Sequence, residues 1–153
     1  MPPASFLLVI ILILSAALAA PVSETVYDIL QYYRFPPGLV PQGVVTRYEL
    51  NPNSGQFTLY LSTTCSFTAY GYDVQLRTQI TGRIKDEDIK GLHGVQVRMM
   101  NIWLDLVEVE MVEDGEEVEF SNSYTAVDMP VYYFHSIPQC GCGFDCLSSF
   151  AGT

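Results

Sequence analysis

Apolar and polar residues alternate in short runs along most of this chain, the period of half-buried strands. Val44, Tyr48 and Leu50 lead into the turn-rich Asn51-Pro52-Asn53-Ser54-Gly55, and Phe57, Leu59 and Leu61 return from it. Cys65, Phe67 and Ala69 make another short alternation, and Tyr70, Tyr72, Val74, Leu76, Ile80 and Ile84 a long even-numbered face. Residues 85–90 read as a charged surface loop. Residues 94–120 hold the longest apolar segment after residue 20 and the only tryptophan. There Val95, Val97 and Met99 alternate, the phase shifts to Ile102, Leu104 and Leu106, and it shifts again at Val107, Val109 and Met111. Each slip turns the core set to the opposite face unless an extra residue is absorbed, so bulges or a strand covered on both sides are expected. A lone tryptophan is a large apolar filler before it is a ligand platform, which puts Trp103 in the core.

One segment has the helical period instead. Val26, Ile29, Leu30 and Tyr33 form a single apolar stripe over residues 25–33, with Thr25 as N-cap and Asp28 in the first turn. Pro36, Pro37 and Gly38 end it. Asp114-Gly115 suits a two-residue type I′ hairpin turn. That register sets Met111 opposite Val118 and Val109 opposite Phe120. It also sets Glu110 opposite Glu119, with Glu108 and Glu117 beside them. Such an acidic face is first a solvated one that discourages edge-to-edge aggregation; its alternative use is to meet a cation such as calcium, or a protein partner. After this hairpin Tyr124 and Ala126 finish a strand, Pro130 breaks it, and Val131 to Phe134 form an aromatic cluster that closes one end of the core. The strand spacing predicts a mainly β, single-domain antiparallel β-barrel or sandwich-like fold with one N-terminal amphipathic helix.

Length and charge narrow the picture. The 153 residues suit one domain, and 49% hydrophobic against 16% charged residues argues against disorder. Residues 1–98 carry all seven basic and seven acidic side chains, whereas residues 99–153 carry ten acidic and no basic ones. That half repels phosphate backbones and anionic membrane surfaces, which excludes nucleic acid as a partner. Residues 1–20 read as a secretory signal peptide, apolar over 6–14 and small at Ala16, Ala17, Ala19 and Ala20. Residues 21–146 are then one β-rich domain and 147–153 a C-terminal tail. The apolar run is short for a membrane span, so a lumenal or extracellular product with no stable span is expected.

Cys140, Cys142 and Cys146 crowd the tail, and Cys65 stands alone. In an oxidising compartment four cysteines imply two disulfides, with three pairings open; if all are bridged, one bond joins Cys65 to the tail. A zinc site using His135 and the tail thiolates is the competing reading. No Gly-x-Ser-x-Gly elbow, His-Glu-x-x-His or phosphate-binding glycine loop occurs. Only His93 and His135 offer imidazole bases. No catalytic residue, metal or cofactor is assigned.

Several motifs, in order, carry a resemblance: Val26-Tyr27-Asp28-Ile29-Leu30, Phe35-Pro36-Pro37-Gly38-Leu39-Val40-Pro41, Ile80-Thr81-Gly82-Arg83-Ile84, Leu104-Asp105-Leu106-Val107-Glu108-Val109 and Cys140-Gly141-Cys142-Gly143-Phe144-Asp145-Cys146. Together they resemble the plant family catalogued as domain of unknown function 538, which includes the "smaller with variable branches" proteins. The resemblance implies a compact β-barrel-like domain, and relatives have been compared with lipid-binding proteins and proposed to hydrolyse chlorophyll. The leading expectation is therefore a secreted, non-enzymatic module for an apolar, lipid-like ligand, which needs an interior cavity of about 300 Å³ or more. A protein-interaction or cation-responsive module using the acidic hairpin comes second, and an esterase-like hydrolase third.

Overall fold

The computed structural model describes residues 24–146. The expected signal peptide and the tail beyond residue 146 lie outside them. The helix α1, Val26–Tyr32, starts where its capping predicts: the Asp28 amide donates to the Thr25 hydroxyl, and the Thr25 amide donates back to the Asp28 carboxylate at 2.8 Å. Its stripe turns inward through Leu30, which is buried, and half-buried Val26, Ile29 and Tyr33.

Nine strands follow: β1 (Val45–Leu50), β2 (Gln56–Leu61), β3 (Cys65–Ala69), β4 (Tyr72–Lys85), β5 (Asp88–Met99), β6 (Ile102–Asp105), β7 (Glu108–Val112), β8 (Glu117–Ser121) and β9 (Ala126–Pro130). They form one antiparallel sheet in the order β1-β2-β4-β5-β7-β8-β9, with β3 on β4 and β6 on β5. The sheet does not close, since β1 and β9 are its two ends. The architecture is sandwich-like, and a closed barrel is not formed. Segments outside the strands occupy the flanks of the opening. The Tyr48 hydroxyl on β1 donates to the Glu24 carbonyl beside α1. Gly38, in the 3₁₀ turn Pro37–Leu39, lies against the backbone of Phe134 and Ser136, which follow β9. The 3₁₀ turn Val131–Phe134 seals that end as expected, with Phe134 buried and packed edge-on to Tyr70 and Phe144.

The long β4–β5 hairpin runs through the whole molecule and changes neighbours along its length. Residues 79–83 of β4 pair with β2, and residues 72–76 pair with β3. On β5, Asp88 and Ile89 pair with β7, and residues 96–99 with β6. The register shifts twice between these regions, between Leu76 and Thr81 and between Thr81 and Arg83. Gly94 (φ +100°) makes the tighter approach possible, because a Cβ there would meet the Gln79 carbonyl oxygen at 2.6 Å. Bulging of this kind bends a sheet so that one face can wrap a core.

Five expectations from periodicity differ from the structure. The slip after Met99 is a tight turn rather than a bulge: Met100 and Asn101 both have positive φ (52° and 65°) and join β5 to β6. Trp103 is 41% exposed, not core, because it pairs with Arg98 on the outer face of β6, whose only strand partner among the described residues is β5. The second slip, at Leu106 and Val107, is the break between β6 and β7. Residues 85–90 are a tight hairpin end, with Lys85 paired to Asp88 and Ile89 buried. Tyr124 does not finish a strand. It sits in a turn between β8 and β9, where the Asn122 side-chain oxygen accepts the amides of Tyr124 and Thr125.

Candidate functional site

The inner face of the sheet encloses a cavity of about 220 Å³. Alternation builds it: Leu59 and Leu61 on β2, Leu76, Ile80 and Ile84 on β4, and Val95, Val97 and Met99 on β5 all point inward. β7 to β9 add Val109, Phe120, Val127 and Met129, and α1 adds Val26, Ile29 and Leu30. Asn122 is the amide side chain of the lining, which also includes Tyr48 and Tyr72, and its amide nitrogen meets the Met99 sulfur at 3.4 Å. This volume falls short of the roughly 300 Å³ expected for a whole lipid-like ligand, which narrows that expectation to part of one, and it exceeds the roughly 150 Å³ that accepts benzene. It has room for roughly seven water-sized groups. A slender apolar chain fits that description, and a bulky polycyclic molecule does not.

The acidic residues of the hairpin fall where the turn signal put them. Glu110 pairs with Glu119, Met111 with Val118 and Val109 with Phe120, although the connection is a four-residue loop, 113–116, in place of a two-residue turn. The row is longer than sequence reasoning found. Asp88 pairs with Glu110 across β5–β7, and Asp128 with Glu119 across β8–β9, giving four carboxylates on four adjacent strands. Glu108 belongs with Asp88 and Glu110, their carboxylate oxygens lying within 4.8 Å of one another. Glu117 is the outlier, paired with Val112 and Pro130. Lys90 reaches Asp88 at 3.5 Å and Glu108 at 4.0 Å, but one Asp88 oxygen, Oδ1, is buried without a hydrogen-bond partner.

This crowding moves the acids. Burial, then hydrogen bonding to and repulsion from Asp88, raises Glu108 above the ordinary glutamate value, with Lys90 opposing. Hydrogen bonding to Asp128, then burial and the Asp128 and Glu110 charges, raises Glu119. An acid raised by folding stabilises the fold fully below its unfolded pKa, and that contribution is lost as pH rises through the folded value. Asp86, lowered by its hydrogen bond to Arg34, acts in the opposite sense at the exposed β4–β5 tip. Glu119→Gln is therefore expected to raise Tm more at about pH 7 than at about pH 4. Thermal melts across that range check it; a gain independent of pH contradicts it.

All four cysteines are bridged, Cys65 to Cys140 and Cys142 to Cys146. No thiolate is left for zinc, which removes the metal reading with His135. His135 follows the Val131–Phe134 turn and His93 stands opposite Thr81 on β5; both are exposed. Two disulfides suit an oxidising compartment.

Residues 26–135 match the model of a family described as a protein of unknown function, DUF538. The chain belongs to that family. No curated protein and no solved structure gives a significant match. The motifs of α1, of the Pro36–Leu39 region, of β4 and of β6–β7 all fall inside the matched residues, and the cysteine tail lies beyond them. Among the described residues no helix is long and apolar enough to cross a membrane.

Proposed function

We propose that this DUF538 protein is a non-enzymatic binding module that holds the end of one slender apolar chain, of the acyl or isoprenoid class, inside its sheet. The observation that carries the reading is the 220 Å³ cavity, walled mainly by apolar side chains from α1 and the strands, with the Asn122 amide among them. A buried apolar wall binds by removing hydrocarbon surface from water, at about 25 cal/mol per Å². The signal-like residues 1–20 and the two disulfides support work in the secretory lumen or outside the cell.

Native mass spectrometry of the purified protein incubated with octanoic acid, before and after denaturation, tests the reading. A one-to-one adduct lost on unfolding is expected. Val97→Phe, which adds a ring to the middle of the lining at a stability cost of about 1–3 kcal/mol, should weaken the adduct about tenfold. A bare mass at saturating octanoate, decanol and farnesol would sink the proposal.

A second reading rests on a different observation. Asp88, Glu108 and Glu110 offer three close carboxylates, and Asp88 Oδ1 lacks a partner, so a divalent cation is a chemically matched guest. Its signature is a calcium-dependent rise in Tm that Glu110→Gln abolishes; a Tm indifferent to calcium removes it.

A further inference from the structure

We infer that the β5–β6 and β8–β9 turns form a docking tip for an uncharged bilayer surface, at the mouth through which an apolar chain would pass. Four large apolar side chains lie bare on these segments: Met100 is 94% exposed, Tyr124 84%, Ile102 59% and Trp103 41%. The two turns are neighbours, since Asn122 at the base of one bonds Met99 at the base of the other. Both of those residues line the cavity, as do Leu104 on β6 and Val127 on β9. The bare tip is thus continuous with the interior.

Charge placement points to the occupant. The chain carries a net charge of −10, yet residues 99–104 and 120–127 contain no Asp, Glu, Lys or Arg. The cation nearest these turns, Arg98 beside Trp103, is engaged by Asp73 and by the Asn101 side chain, so the two turns themselves suit a partner that is uncharged. Two copies of so acidic a chain repel one another, and two turn tips offer little of the roughly 800 Å² per partner that a stable protein interface uses. Tryptophan and tyrosine favour the lipid–water boundary, where ring and polar edge are both satisfied. Met100 is held in the left-handed region (φ 52°), where a non-glycine residue is strained by about 1–3 kcal/mol. The fold accepts that strain at the most accessible methionine among the described residues.

This inference rests on the cavity reading for its purpose, but it is measured separately. Trp103 is the only tryptophan, so its emission reports on the tip alone. The full chain mixed with phosphatidylcholine vesicles should co-sediment with them and show a blue-shifted Trp103 emission. Adding phosphatidylserine should weaken both signals. Met100→Ser/Ile102→Ser/Tyr124→Ser alters only exposed side chains; it should keep its Tm and lose about tenfold in vesicle partition. Val97→Phe, which fills the cavity, should weaken the octanoate adduct and still dock, whereas a wild-type protein that docks yet takes up no octanoate, decanol or farnesol overturns the cavity reading alone. Unshifted emission with the protein left in the supernatant overturns the docking tip. So does equal partition by the triple serine variant, or concentration-dependent dimerisation that buries Trp103 without vesicles.

Discussion

Replacing Cys65 and Cys140 together with alanine is expected to destabilise the protein by about 4 kcal/mol, the loop-closure value for a cross-link spanning 75 residues. The same change at Cys142 and Cys146, four residues apart, should cost only about 2 kcal/mol. The difference arises mainly in the unfolded chain, where the long bridge removes far more freedom than the short one. Position reinforces it in the folded state. Cys65 is fully buried at the start of β3, and the tail it anchors runs beside that strand, with the Gly141 amide donating to the Ser66 carbonyl at 2.7 Å. Phe144, carried on the same tail, packs against Tyr70 and Phe134. Urea melts of the two double variants measure both numbers, and equal midpoints would show that loop length is not the controlling variable.

Gly38→Ala is expected to cost about 2–4 kcal/mol, more than most single substitutions. Its Cβ would lie 2.4 Å from the Ser136 carbonyl oxygen, 2.5 Å from that of Phe134 and 2.7 Å from the Phe134 Cα. All three are backbone atoms, so no side-chain rotation relieves the overlap, and the Pro37–Leu39 turn must separate from the Val131–Phe134 turn. Phe134 would be displaced from Phe120, its neighbour at 5.3 Å between ring centres, and the cavity wall would open there. A thermal melt reads the cost. A Tm within about 2 °C of the wild type would mean that the two turns have slack the structure does not display.

Legibility in the sequence followed the range of the forces involved. The α1 cap and stripe, and the β7–β8 register, are set by residues within a few positions of one another, and Asp114-Gly115 announces its turn. Met100-Asn101 makes an equally tight turn from residues without that signature, so alternation alone points to a bulge or a strand covered on both sides, with Trp103 in the core. Alternation tells which residues share a face but not whether that face meets another layer. Asp88 and Asp128 were missed for a related reason: their places beside Glu110 and Glu119 depend on which strands become neighbours. The cavity is a property of how far the inner face stays unfilled, and no spacing of apolar residues encodes that distance.

The strand order also bears on how the chain acquires its shape. Of the eight ladders, six join strands consecutive in sequence, and the other two, β2–β4 and β5–β7, skip only one. Folding rates fall as contacts become more distant along the chain, so this topology places the protein toward the faster end for its class. Each hairpin can zip beside the one already formed as the polypeptide lengthens, exposing few unpaired edges at any moment. The tail bond to Cys65 spans 75 residues, so it is the distant contact that none of these neighbouring hairpins needs in order to pair.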